Sequence, residues 1–383
     1  MNEHQDYLKH MQKATRIVVK VGTSTLTHST GKLNLNRMEQ LVRQLVDLRN
    51  QNREVILVTS GAVGAGMGRL GLTQKPTLIV EHQALAAIGQ GLLMHVYEKL
   101  FAEYRQIVAQ VLLTRSDVSD RKRYLNSRNT LLNLLKYKVI PVINENDTVA
   151  TEELKFGQND CLSALVAGLV EADLLILLSD IDGLYTANPK EDPGATLIPL
   201  VPEITSDIMA MAGGTGSYLG SGGMKTKLEA AQMATTAGVT MVIMNGNDPA
   251  QIQRIFAGAP IGTAFPSSQP MVNRRKQWIA YGPQVNGELV VDEGAERALL
   301  KNGKSLLPSG IIELRGEFEE GDLIRILDTG DSELGRGLTN YGKEQLLKIK
   351  GCKTSEIQFR LGYKHTDEVI HRDNLVITAR MGG

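Results

Sequence analysis

Lys20 interrupts an apolar run, Arg16-Ile-Val-Val-Lys-Val-Gly22, and an ammonium inside such a run is costly to bury without a partner, so chemistry is its better explanation. Five segments follow apolar stretches or open a helix, and all are rich in glycine and small polar residues: Lys20-Val-Gly22-Thr23-Ser24, Thr59-Ser60-Gly61-Ala62-Val63-Gly64, Asn144-Glu-Asn146-Asp147, Ser179-Asp180-Ile-Asp182-Gly183 and Gly220-Ser221-Gly222-Gly223-Met224-Lys225-Thr226-Lys227. Backbone N–H groups in such turns and at helix N-termini cradle anions, and lysines add positive charge. Phosphoryl transfer needs these parts, because its catalysis is mostly positioning and charge neutralisation. The plain alternatives are that glycine serves positive φ and close packing, that Asp147 and Asp160 cap helices, and that Cys161 is core.

Several familiar patterns fail. No G-x-x-x-x-G-K-[ST] sequence is present, which excludes a P-loop. Gly66-x-Gly68-x-x-Gly71 starts too far beyond its strand and lacks the acidic residue of a dinucleotide site. His371-Arg-Asp373 is not a kinase catalytic loop, since Thr378 stands where an asparagine is needed. Two cysteines, Cys161 and Cys352, and seven scattered histidines offer no metal-ligand spacing, so no protein metal site is expected.

The elements that must position these loops alternate. Strands are expected at 16–22, 54–59, 106–114, 139–143, 172–179 and 239–244, and helices at 37–51, 77–104, 120–135, 160–171 and 223–237. Strands apolar on both faces and separated by helices imply a mostly parallel sheet covered on both sides, with ligands at the strands' carboxyl ends. Three prolines between Gly258 and Pro270 read as a linker. Short strands with glycine turns follow, the pattern of a small β-barrel. The expected division is 1–257, linker 258–284, and a barrel with its extension over 285–383. Lys plus Arg equals Asp plus Glu at 42 each, so no global field recruits nucleic acid or membrane. Met1 to Arg16 is polar, and Leu162 to Leu178 is short and holds Glu171 and Asp173, so a cytoplasmic chain without membrane spans is expected.

Val18-Val-Lys20-Val-Gly-Thr-Ser24, Val58-Thr-Ser60-Gly61-Ala62, Pro141-Val-Ile-Asn-Glu-Asn-Asp147, Gly157-Gln-Asn159-Asp160 and Gly222-Gly-Met-Lys-Thr-Lys227, taken in order, resemble the amino acid kinase family. Within it they are most similar to the members that phosphorylate the side-chain carboxylate of glutamate for proline synthesis. Val290-Val-Asp-Glu-Gly294 and Ser305-Leu-Leu-Pro308 resemble the PUA domain that many bacterial members append. Ser179 and Ser221 stand where the family commonly has threonine; both keep a hydroxyl.

The resemblance implies an α/β fold, an α/β/α sandwich with a mostly parallel sheet plus a PUA-like β-barrel. It implies Lys20 on the transferring phosphoryl group, Lys227 on the leaving phosphate and Asp160 holding both lysines. It also implies glutamate at Ser60, Asp147 and Asn159 with Gly61 and Ala62 beside them, and ATP at Lys20, Ser179, Asp180 and residues Ser221, Gly222, Gly223, Met224, Lys225, Thr226 and Lys227. Mg²⁺ would accompany ATP, proline would act as feedback inhibitor, and the chain would form a homo-oligomer. The chemistry agrees: a γ-carboxylate with a pKa of about 4.3 is already ionised and needs no protein base. Asp147 would repel an anionic substrate unless it faced a cation, and a free α-ammonium is one, which disfavours an N-acetylated substrate. The rivals are a same-fold kinase acting on N-acetylglutamate, aspartate, carbamate or a nucleotide monophosphate, and an RNA-binding protein. Residues 285–383 hold 14 Lys and Arg against 17 Asp and Glu, which argues against RNA binding by the tail.

Overall fold

The computed structural model describes residues 3–28, 30–74, 76–114, 117, 121–149, 159–189, 191–211, 223–267, 285–364 and 366–377. The chain divides into two compact units, Met1–Ser268 and Gln269–Gly383.

In the first unit the β-branched runs form β1 (Arg16–Val21), β2 (Glu54–Val58), β3 (Val108–Leu113), β4 (Ile140–Glu145), β5 (Leu174–Ser179), β6 (Thr240–Asn245) and β7 (Thr263–Phe265). They make one sheet in the order β3-β4-β2-β1-β5-β6-β7. Every pairing is parallel except β6 with β7. The carboxyl ends of β4, β2, β1, β5 and β6 therefore share one edge.

Side chains alternate across a strand, and β1 divides accordingly. Ile17, Val19 and Val21 enter one core with Leu41, Val42 and Leu45 of the helix Leu35–Asn50. Val18 enters the other with Leu162 and Val166 of the helix Asn159–Leu169 and Leu228 and Ala231 of the helix Met224–Thr236. Lys20 has the parity of Val18, so the alternation sends its ammonium toward those last two helices. The helix Leu35–Asn50 begins where the Asn34 side chain accepts the Arg37 N–H at 3.1 Å, satisfying one of the donors a helix start leaves open.

Two differences from the sequence reading have a physical cause. The expected single helix over 77–104 is Ile79–Ala102, and a second helix, Ala62–Leu70, precedes it. Its Gly64, Gly66 and Gly68 resemble a loop by composition, yet Gly66 and Gly68 serve close packing, the latter against Gly31. A Cβ on Gly66 would fall 2.1 Å from the Leu85 carbonyl oxygen, and one on Gly89 1.7 Å from that of Ala62. Gly66, the first glycine of the failed dinucleotide pattern, and Gly89 thus let two helices touch. The start of the expected linker carries β7, where the Thr263 hydroxyl accepts the Leu184 N–H at 2.8 Å and donates to the Ile198 carbonyl at 2.6 Å. That strand is tied to the first unit.

The second unit contains β8 (Gly287–Val291), β9 (Ile311–Gly316), β10 (Leu323–Leu327), β11 (Glu333–Leu338) and β12 (Leu375–Ile377), in the order β12-β11-β10-β8-β9. Only β8 and β10 pair in parallel. Leu289, Val291, Ile324 and Ile326 meet Tyr341, Leu346 and Ile349 in its core. Asp292 caps the helix Glu293–Asn302 by accepting the Ala295 N–H at 2.7 Å. His371 and Asp373 form a short 3-10 turn, in which the His371 ring accepts the Asp373 N–H at 3.2 Å.

Candidate active site

Lys20 reaches the shared strand edge from β1 and meets Asp160, the second residue of the helix Asn159–Leu169. Its Nζ forms an ion pair with Asp160 Oδ1, while Lys227 Nζ, from the first turn of the helix Met224–Thr236, donates to Asp160 Oδ2 at 3.2 Å. Asp160 is fully buried, and both lysines are 6% exposed. Three charges therefore sit nearly out of water, carrying a net positive charge. Burial lowers the Lys20 ammonium from its ordinary range, with Asp160 opposing that shift and Lys227 adding to it. Burial would raise the Asp160 carboxyl, but the two ammonium groups hold it below the ordinary carboxylate range. The Gly22 backbone runs close to Lys20, since a Cβ there would lie in van der Waals contact with Nζ at 3.5 Å.

Beside this triad lies a buried chain of amides. Asn159 Nδ2 donates toward the Thr59 carbonyl (2.5 Å), Ser60 Oγ (2.9 Å) and Asn144 Oδ1 (2.7 Å). Ser60 follows β2, and Gly61, with φ of 99°, turns the chain into the helix that begins at Ala62. That left-handed conformation favours glycine. Asn144 Nδ2 donates in turn to Gln90 Oε1 at 2.7 Å. The Thr59 hydroxyl meets the Tyr97 hydroxyl at 3.0 Å. Burial raises the Tyr97 phenol, so it stays protonated at neutral pH.

The remaining expected residues sort by position. Ser179 ends β5, the neighbour of β1, and its hydroxyl donates to Asp180 Oδ1 at 3.1 Å. Asp180 is exposed and close enough to contribute to the field on Lys20. Gly223 precedes the helix Met224–Thr236 without a side-chain cap, Lys225 is exposed, and the Thr226 hydroxyl donates to the Gly223 carbonyl at 2.9 Å. The first N–H groups of such a helix suit an anion. Asp147 lies half-buried in the turn after β4. Ser221 and Gly222 lie outside the described residues. Asn144 and Gln90 had no assigned role; Asn144 stood in a quoted segment, while Gln90 is signalled only as a polar residue between two glycines in an apolar stretch. Among the described residues, no three His, Cys, Asp or Glu side chains are grouped to hold a metal, and no helix is long and apolar enough to cross a membrane.

Residues 15–245 match the amino acid kinase family, well over half of the chain. The chain belongs to that family. Residues 287–361 match the PUA domain. Two relatives, each named glutamate 5-kinase, extend the family match to nearly full length. The one from Moorella thermoacetica is 56% identical over 367 residues, covering 96% of this chain and 97% of the relative. The one from Caldanaerobacter subterraneus subsp. tengcongensis is 59% identical over 365 residues, covering 95% and 98%. Among solved structures, an isopentenyl phosphate kinase in complex with substrate superimposes with a TM-score of 0.49 at 20% identity, covering 66% of this chain and 99% of that one.

Proposed function

We infer that the chain transfers the γ-phosphoryl group of ATP to the γ-carboxylate of L-glutamate, forming L-glutamyl 5-phosphate and ADP, the first step of proline synthesis. The observation that carries this reading is the buried Lys20–Asp160–Lys227 triad at the strand edge, in a chain more than half identical to glutamate 5-kinases over nearly its whole length.

The chemistry follows from charge. A γ-carboxylate oxygen attacks the γ-phosphorus, the bond from that phosphorus to the β,γ-bridging oxygen breaks, and ADP leaves with the electron pair. No proton moves, because the nucleophile is already an anion. The obstacle is the approach of two anions, and preorganised cations in a dry site lower it most where charge develops. Lys20 lies over the transferring group and Lys227 over the leaving β-phosphate. Asp160 fixes both ammonium groups in place, and its depressed pKa keeps it ionised to do so. The uncapped start of the helix Met224–Thr236, with Gly223, Met224, Lys225 and Thr226, receives the phosphates together with Ser221 and Gly222, while Ser179 and Asp180 border the nucleotide. ATP enters as its Mg²⁺ complex. Ser60, Asn159 and the Gly61–Ala62 backbone receive glutamate, and Asp147 pairs with its α-ammonium.

A kinase domain over 1–257 that also takes in β7 (Thr263–Phe265) from the expected linker, and a PUA-like domain over 285–383, complete this proposal, as do homo-oligomerisation, cytoplasmic location and feedback by proline. Adding proline to the assay tests the feedback, and sedimentation tests assembly. The decisive assay traps acyl phosphate with hydroxylamine in the presence of ATP and Mg²⁺. Hydroxamate is expected from L-glutamate and not from N-acetylglutamate or aspartate; the reverse preference would refute the assignment.

A further inference from the structure

Gln90 has no part in the reaction as derived so far, yet it sits at the end of a buried polar relay leading to the glutamate side of the site. Its Oε1 accepts from Asn144 Nδ2 at 2.7 Å. The other side of the Asn144 amide, Oδ1, accepts from the Glu145 N–H at 2.9 Å and from Asn159 Nδ2 at 2.7 Å. Asn159 Nδ2, whose two hydrogens are shared among the Thr59 carbonyl, Asn144 Oδ1 and Ser60 Oγ, lies 2.9 Å from the last. An asparagine amide has one accepting and one donating end, and a flip exchanges them. In the flipped state Asn144 would present its NH₂ to two donors and its oxygen to Gln90. The Glu145 N–H, a donor that cannot exchange roles, and the Gln90 acceptor together disfavour that state.

The cost of this arrangement is visible in Gln90 itself. The residue is 9% exposed, and its Nε2 is buried without a hydrogen-bond partner. An unmet buried donor lowers stability, and an apolar side chain of the same shape would only move that deficit to Asn144 Nδ2. Packing alone therefore does not account for an amide at this position. Gly89 lets it come so close, because a Cβ there would fall 1.7 Å from the Ala62 carbonyl oxygen, at the start of the helix that follows Ser60 and Gly61.

We propose that Gln90 is a positioning residue for glutamate binding: through Asn144 it fixes the amide orientation of Asn159, and with it the donor aimed at Ser60. The proposal rests on the glutamate reading given above. Gln90→Met keeps the length and removes the acceptor. Gln90→Glu keeps an acceptor, and burial there would hold the new carboxyl neutral at pH 7.

The test measures KM for glutamate, KM for ATP, kcat and the unfolding midpoint for the full-length chain and both variants, by the hydroxamate assay and thermal melting. Gln90→Met is expected to raise KM for glutamate about tenfold, corresponding to about 1.4 kcal/mol, with KM for ATP within twofold and a cooperative unfolding transition retained, since the variant removes the unmet Gln90 donor but leaves Asn144 Nδ2 without its acceptor. Gln90→Glu should bring KM for glutamate back to within about threefold. An unchanged KM for glutamate in Gln90→Met, an equal rise for ATP, or failure to fold would each overturn the proposal. If the unaltered chain makes no hydroxamate from glutamate, the functional reading fails; activity in that chain with no effect of Gln90→Met defeats the relay alone.

Discussion

Both units of the molecule place arginine or lysine against carboxylates, but they do so in opposite surroundings. In the second unit, Arg315 bridges Glu313 and Asp331 at 3.0 and 2.7 Å on side chains open to water, and Arg325 bridges Glu288 and Glu333 at 3.1 and 3.2 Å on half-buried ones. In the first unit, Lys20, Asp160 and Lys227 are nearly dry. Water screens the first kind of pair, so it adds little to stability. Taking ions out of water is expensive, and such a cluster rarely repays that cost in stability. The contrast separates two uses of charge: solubility and register in one sheet, and a preorganised field for an anionic reaction in the other.

The largest expected effect comes from removing the centre of the buried cluster. Asp160→Asn leaves two ammonium groups facing each other out of water, so denaturant unfolding should show a loss of about 3–5 kcal/mol, and turnover should fall at least a hundredfold. A variant as stable as the parent would mean that the cluster is better hydrated than its burial indicates.

Next comes Asp147→Asn. The proposed charge-assisted hydrogen bond to the α-ammonium becomes a neutral one, with a loss of roughly 1.5–3 kcal/mol, so KM for glutamate should rise tenfold or more at constant KM for ATP. A defect confined to ATP would reassign the residue.

The pH dependence is a smaller effect with a definite sign. Because burial lowers the Lys20 pKa, turnover should begin to fall at a pH below that of an ordinary lysine, about 10.4. Between the folded and unfolded pKa values the unfolded chain binds more protons at this group, so its contribution to stability rises with pH over the same interval. Activity lost in step with the fold would show that Lys20 is not the titrating group. Asp160, held below the ordinary carboxylate range, contributes stability that is lost only as pH falls through its depressed value. The acid limb of glutamate turnover therefore belongs to the substrate carboxyl near pH 4.3.

The smallest effect is expected on the other side of the comparison. Arg315→Ala should leave turnover unchanged and move the unfolding midpoint hardly at all, since both partners of that arginine are exposed. A large loss would mean that the exposed network holds the second sheet together.

The strands were legible in sequence because β-branched runs bounded by glycine have few other homes, and β1 and β5 lie within a residue or two of expectation. The site was legible for a related reason: a parallel sheet gathers the ends of its strands at one edge, so listing the loops after strands gave Lys20, Ser60, Asp147 and Ser179 together. Asp160 and Lys227 came with their helix starts. The helix Ala62–Leu70 was not legible, because glycines that let two helices touch have the composition of a loop. Nor was β7, whose residues sit among prolines and small side chains and gain their strand only by pairing with β6. Gln90 lies 54 residues from its partner Asn144, and no local pattern registers a contact made by packing a helix onto the sheet.

The central claim, that the buried lysines act on charge that develops as phosphate transfers, is tested most directly by Lys227→Met, with kcat and both KM values measured beside the unfolding midpoint. Interactions made only in the transition state lower kcat when removed and leave substrate binding nearly untouched. The expected result is a fall in kcat of about a hundredfold to a thousandfold, with KM for glutamate changed less than threefold and a cooperative unfolding transition retained. Unchanged kcat, or a loss carried wholly by KM for glutamate, would contradict the claim.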